Sequence, residues 1–153
     1  MINLDNTSEF LRNKSAYLPQ QIFLINGSIK ENIALGEDKI DIEKIIESTR
    51  KSQLINFIDS LENKLDTNIG EGGSLVSGGQ RQRIGLARSF YFDREIFIFD
   101  EVTNALDNKT EEKIISEISS LSENLTILMV AHRLTTLNNC DRIITFKEGR
   151  ITE

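Results

Sequence analysis

The run Ile96-Phe97-Ile98-Phe99-Asp100-Glu101 constrains this chain more than any other segment: four consecutive apolar residues close on two adjacent carboxylates. Such a run suits a strand buried on both faces of a parallel sheet, where covering helices remove the need for apolar and polar residues to alternate. A second apolar run, Thr126 to Ala131, also reads as a buried strand, and in the segment between the two Ile114, Ile118 and Leu121 recur at helical spacing beside Ile115. Strand, helix, strand in this order implies a right-handed βαβ crossover and therefore an α/β parallel sheet. A chain of 153 residues with 39% hydrophobic content is long enough to build one domain around a real core.

Upstream, the β-leaning stretch Ala16-Tyr17-Leu18 ends at the only proline, Pro19, which biases the residue before it to an extended conformation. Ser28 can cap a helix over Ile29 to Leu35, with Glu31 at its third position and Gly36 as its stop. Asp41 opens another whose Ile42, Ile45 and Ile46 share a face. After a polar stretch, Gly70, Gly72 and Gly73 make a flexible loop that feeds Leu75-Val76-Ser77-Gly78-Gly79-Gln80 and a helix to about Tyr91. Near the end, Arg142 to Phe146 and Arg150-Ile151-Thr152 read as a hairpin about Glu148-Gly149.

Several function classes are disfavoured. Apolar stretches such as Ile127 to Ala131 fall far short of the roughly 18 to 20 residues of a membrane span. With a net charge of -6 and its basic residues dispersed, the chain shows no phosphate-neutralising patch, and no nucleic-acid partner is expected. The start, Met1 to Asp5, lacks the basic and apolar regions of a signal peptide. The single cysteine, Cys140, cannot form an internal disulfide and fits a reducing setting, read as a small half-buried side chain.

Three places carry chemistry. In Ser77-Gly78-Gly79-Gln80-Arg81-Gln82-Arg83, two glycines let backbone approach a ligand, and a helix start offers unpaired N–H groups to an anion such as phosphate. The spacing serves equally well for a plain capping box between Ser77 and Gln80. Asp100 and Glu101, delivered by a buried strand to the C-terminal edge of a parallel sheet, stand where ligands of open α/β folds bind. One carboxylate can hold Mg²⁺ and its neighbour can take a proton from an attacking water, although a solvated pair ending a strand is the plainer reading. His132, the only histidine, follows the strand Ile127 to Ala131 and would emerge at the same edge; alone, a histidine there is more often structural.

Together these residues carry a family resemblance. Leu75 to Arg83 resembles the signature LSGGQRQR of ATP-binding-cassette (ABC) transporter ATPases, and Asp100-Glu101 resembles the end of their Walker B strand. Asn104-Ala105-Leu106-Asp107 resembles the D-loop, and Ala131-His132-Arg133-Leu134 the switch-histidine segment. Tyr17-Leu18-Pro19-Gln20, with Phe23 to Ile33, is similar to the Q-loop region of exporter-type domains, so the likeness covers nearly the whole chain in matching order. The resemblance implies a P-loop NTPase-like α/β fold: a parallel sheet flanked by helices, with residues 28–91 as a helical signature subdomain and 1–27 and 92–153 as catalytic core. It further implies ATP and Mg²⁺ as ligands, Glu101 as general base, Asp100 and Gln20 at Mg²⁺, and Gln20 also at the attacking water. His132 would contact the γ-phosphate; Ser77, Gly78, Gly79 and Gln80 would meet ATP held by an opposite subunit, and Asp107 would line the dimer interface. Partners implied are a membrane-spanning transporter domain and a second nucleotide-binding domain, at the cytoplasmic face of the membrane.

Departures from the pattern are small: Val76 replaces the usual leucine, Val102 the usual alanine and Asn104 the usual serine, which puts the D-loop contacts in doubt. A larger one is that the P-loop pattern G-x-x-x-x-G-K-[ST] is absent, since no lysine follows a glycine. Met1 to Asp5 resembles a segment internal to the family's domain, so the chain is expected to be its later portion, incomplete at the N-terminus, with the edge of the strand Ile127 to Ala131 exposed. Two roles compete: an ATP-hydrolysing module of an exporter, or a non-catalytic partner that lends its signature segment to a complete subunit. A chromosome-maintenance ATPase ranks below both, because the stretch from Gln20 to Ser77 has no room for a long coiled coil.

Overall fold

The computed structural model describes residues 4–100, 125–130 and 140–152. Helix α1 (Leu4–Lys14) runs directly into strand β1 (Ser15–Leu18), and four further helices follow: α2 (Ile29–Ile33), α3 (Ile42–Lys51), α4 (Ile55–Ser60) and α5 (Gly78–Tyr91). Strands β2 (Ile96–Asp100) and β3 (Thr126–Val130) complete a parallel sheet in the order β1-β2-β3, and β4 (Thr145–Lys147) and β5 (Arg150–Thr152) form a separate antiparallel hairpin.

Local chemistry explains most of the helix boundaries. The Ser28 hydroxyl accepts from the Glu31 amide at 3.3 Å and the Glu31 carboxylate accepts from the Ser28 amide at 2.6 Å, so the expected capping box is present. The Ser28 hydroxyl, which also donates to the Glu31 carboxylate at 2.7 Å, and then the Ser28 amide hold that carboxyl below the usual glutamate range. The helix they start is shorter than the expected reach to Leu35, because Ala34 already leaves the helical conformation. Asp41 caps α3 by accepting from the Lys44 amide at 3.1 Å, and of the three isoleucines expected on one face only Ile45 is fully buried, with Ile42 left exposed.

The core lies between one face of the sheet and α5. Ala16 and Leu18 of β1 pair with Phe97 and Phe99 of β2, which pair in turn with Ile127 and Met129 of β3, so all six share this face. Phe97 is fully buried, its ring 5.2 Å from that of Phe90 on α5 and 6.1 Å from that of Phe99. Tyr91, at the end of α5, ties in α3: its hydroxyl accepts from the Asp41 amide at 3.2 Å, and the Lys44 ammonium sits 5.4 Å from its ring centre.

The opposite face corrects the expectation of two strands buried on both sides. Ile96, Ile98 and Asp100 are only half-buried, and across from them Leu128 and Val130 are 55% and 49% exposed. Strand β3 bonds only β2 among the described residues, so it is the outer strand of this sheet, and its exposed side chains fall on one face by simple alternation. The helix expected around Ile114 to Leu121 lies outside the described residues. In the hairpin, Glu148 and Gly149 both have positive φ, 51° and 77°, as a two-residue turn between twisted strands requires. Its ladder begins at Thr145 rather than at the expected Arg142.

Replacing Phe97 by alanine removes a ring that touches both Phe90 and Phe99. Urea denaturation of Phe97→Ala should show about 3 to 5 kcal/mol less stability than the parent chain.

Candidate functional site

Because the sheet is parallel, its strands deliver their C-terminal ends to one edge. Leu18 pairs with Phe99 and Phe99 with Met129, so the chain leaves β1, β2 and β3 at the same level. Asp100 stands half-buried at the tip of β2 opposite Val130. Gln20 follows Leu18 by two residues and is exposed there. Glu101 and His132, expected at this edge, and Asp107 of the expected D-loop lie outside the described residues.

Asp100 has one partner among the described residues. Tyr17 on β1 sits opposite Ile98, one row before Asp100 on the same face, and its hydroxyl donates to Asp100 Oδ2 at 2.5 Å. That hydrogen bond first, then burial and the carboxylate charge, raise the Tyr17 hydroxyl above its ordinary value. Tyr17 escaped the sequence reading because a tyrosine in a short strand is ordinary; only the register of β1 on β2 sets it beside Asp100.

The second feature is the start of α5. Ser77 Oγ accepts from the Gln80 amide at 3.2 Å and Gln80 Oε1 accepts from the Ser77 amide at 2.8 Å. This capping box takes the third amide of the turn and leaves the N–H groups of Gly78 and Gly79 without a protein acceptor among the described residues. The structural cap is therefore present, and it does not use the amides that the phosphate reading needs.

Side chains of α5 also fix the loops around it, a feature the sequence reading missed. Arg81 donates to the carbonyls of Gly72 at 2.6 Å and Gly73 at 3.1 Å, which anchors the glycine loop. Gly73 has φ +73°, and a Cβ there would come within 2.5 Å of Leu24 Cδ1, so this position demands glycine. Arg83 donates to the carbonyl of Gln53 at 3.2 Å. Arg88, its charge disfavoured by desolvation, donates to the carbonyls of Asn32 at 2.9 Å and Phe23 at 3.1 Å. Asn32, fully buried, completes this network by accepting from the Ile25 amide and donating to the Ile25 and Ser28 carbonyls.

Packing sets the direction of α5 against the sheet. Phe90, near the end of α5, packs on Phe97 near the start of β2, whereas Gly85 packs on Ile22, beyond the end of β1. Helix α5 thus runs antiparallel to the strands, with Ser77 about 12 Å beyond Gly85 by helical rise. No hydrogen bond or ion pair joins Ser77 or Gln80 to Asp100 among the described residues.

The family profile described as ABC transporter matches residues 2–104, more than half of the chain. The chain belongs to the ABC transporter family. Among its relatives, the ATP-dependent lipid A-core flippase of Desulfotalea psychrophila (strain LSv54 / DSM 12343) is 42% identical over 149 residues, covering 97% of this chain and 26% of the flippase. The ATP-dependent lipid A-core flippase of Saccharophagus degradans (strain 2-40 / ATCC 43961 / DSM 17024) is 43% identical over 143 residues, covering 94% of this chain and 24% of its own. The solved structure of a bacterial Atm1-family ABC exporter with ATP bound superposes with a TM-score of 0.85 at 35% identity, over 94% of this chain and 25% of that one. The chain therefore spans about a quarter of the length of the relatives it matches. No helix of the described residues is long and apolar enough to cross a membrane.

The capping role of Ser77 is separable from any role towards phosphate. Ser77→Ala should lower stability by about 1 kcal/mol in urea denaturation, whereas Ser77→Asp, which keeps an acceptor for the Gln80 amide, should stay close to the parent.

Proposed function

We propose that this chain is the later portion of an exporter's ATP-binding domain, which binds and hydrolyses ATP to drive transport by a membrane-spanning domain at the cytoplasmic face of the membrane. The observation that carries this reading is the common edge at which β1, β2 and β3 end, with Asp100 at a strand tip. In this reading Gln20, Asp100, Glu101 and His132 attend one ATP. Ser77, Gly78, Gly79 and Gln80 serve the ATP of a second nucleotide-binding domain, and Asp107 lines the interface between the two. The names of the relatives support a lipid as the transported substrate.

Mg²⁺ fits the residues present. The Asp100 carboxylate offers a hard oxygen ligand, Gln20 an amide oxygen on an exposed segment, and Mg²⁺ takes one or two such ligands with substrate phosphates and water. When bound it supplies charge neutralisation at the phosphates. Glu101 accepts a proton from the attacking water; the water oxygen bonds the γ-phosphorus as the bridging P–O bond to ADP breaks, and His132 holds the γ-phosphate.

The chain on its own, with no P-loop pattern among its residues, should show no Mg-ATP turnover. Joined to the preceding segment of the Desulfotalea psychrophila flippase, where the family resemblance puts the P-loop, it should hydrolyse ATP in a coupled-enzyme assay. Glu101→Gln should then lower the rate by at least about 100-fold. A folded fusion that binds no ATP by equilibrium dialysis would count against the proposed function. In the same fusion Ser77→Asp should abolish ATP-driven dimerisation in analytical ultracentrifugation, because a carboxylate repels the incoming phosphate.

A further inference from the structure

Among the described residues, the exposed face of the sheet carries one polar contact at the site edge, between Tyr17 and Asp100. We propose that Tyr17 is a positioning residue for Asp100: its hydroxyl fixes one carboxylate oxygen at the tip of β2 and turns the other towards a divalent cation. This rests on the reading of Asp100 as a cation ligand.

The geometry follows from the backbone. Tyr17 lies opposite Ile98, so its ring runs diagonally along the face towards Asp100, within the reach of a long side chain at such a diagonal pair. The hydroxyl meets Oδ2 at 2.5 Å, short for a phenol donating to a carboxylate and typical of a charge-assisted bond. Asp100 has no other hydrogen-bond partner among the described residues, so nothing else there sets the rotation of its carboxylate. A ligand held by a single outer partner depends on it: removing such a partner typically weakens metal binding about 10- to 100-fold. Tyr17 is itself 59% exposed and packs little, so deleting its hydroxyl leaves the core untouched.

Two measurements on the full chain test this. The chain has no tryptophan and two tyrosines, Tyr17 and Tyr91, so Tyr91→Phe makes Tyr17 the sole emitter. A phenol bonded to a carboxylate is quenched; in that background Asp100→Asn should raise the emission, and unchanged emission overturns the contact. The second measurement titrates Mn²⁺ alone and follows loss of the free-ion paramagnetic resonance signal. Tyr17→Phe should weaken Asp100-dependent Mn²⁺ binding by at least about 10-fold with its thermal midpoint unchanged. Equal or tighter binding by Tyr17→Phe, while Asp100→Asn abolishes binding, overturns the positioning role and leaves Asp100 as a ligand. Equal binding by the parent chain and Asp100→Asn overturns the ligand reading and the positioning role with it.

Discussion

The burial of α5 is the constraint on which the rest of this structure depends. Its apolar side, with Ile84, Leu86, Ala87, Phe90 and Tyr91 buried, covers the sheet face that carries Phe97 and Phe99. Gly85 lets the helix close on Ile22, where a Cβ would meet side-chain atoms at 2.9 Å to 3.1 Å. Its arginines then satisfy carbonyl groups of three separate segments, at Phe23 and Asn32, at Gln53, and at Gly72 and Gly73. Loop carbonyls drawn towards a helix need such donors, since a buried acceptor without a partner costs about as much as a lost hydrogen bond. One helix thereby holds both the segment that follows Gln20 and the glycine loop that precedes Ser77.

This arrangement makes a rigid frame around two chemically different ends. At the sheet edge, a parallel register is enough to align the exits of three strands, because every strand of such a sheet points the same way. At the helix start, the reciprocal bonds of Ser77 and Gln80 occupy one orphan amide and leave those of Gly78 and Gly79 for something else. The same residues thus stabilise the helix while two N–H groups at its start keep no protein acceptor among the described residues.

Much of this was legible from local pattern. The capping boxes at Ser28 and Ser77, the Asp41 cap, the parallel strands and the two-residue turn at Glu148-Gly149 all rest on bonds between residues close in sequence or on an apolar period. Helices α1 and α4 were missed. In α4 the N-cap position is Leu54, which makes no side-chain capping bond, so the usual start signal is lacking. The burial of β2 and β3 was overestimated because an apolar run reports what a strand can bury, not whether anything packs on its second face.

The sequence by itself determined the fold class, the three parallel strands, the caps at Ser28, Asp41 and Ser77 and the set of residue types able to handle a nucleotide, because these depend on spacing along the chain. Only the tertiary structure decided that Tyr17 touches Asp100, that Arg88 reaches Phe23 and Asn32, and that α5 runs antiparallel to the strands. The first two of these join residues 56 to 83 positions apart. They are set by strand register and by how closely a helix can approach a sheet, and neither quantity is written in any local stretch of residues.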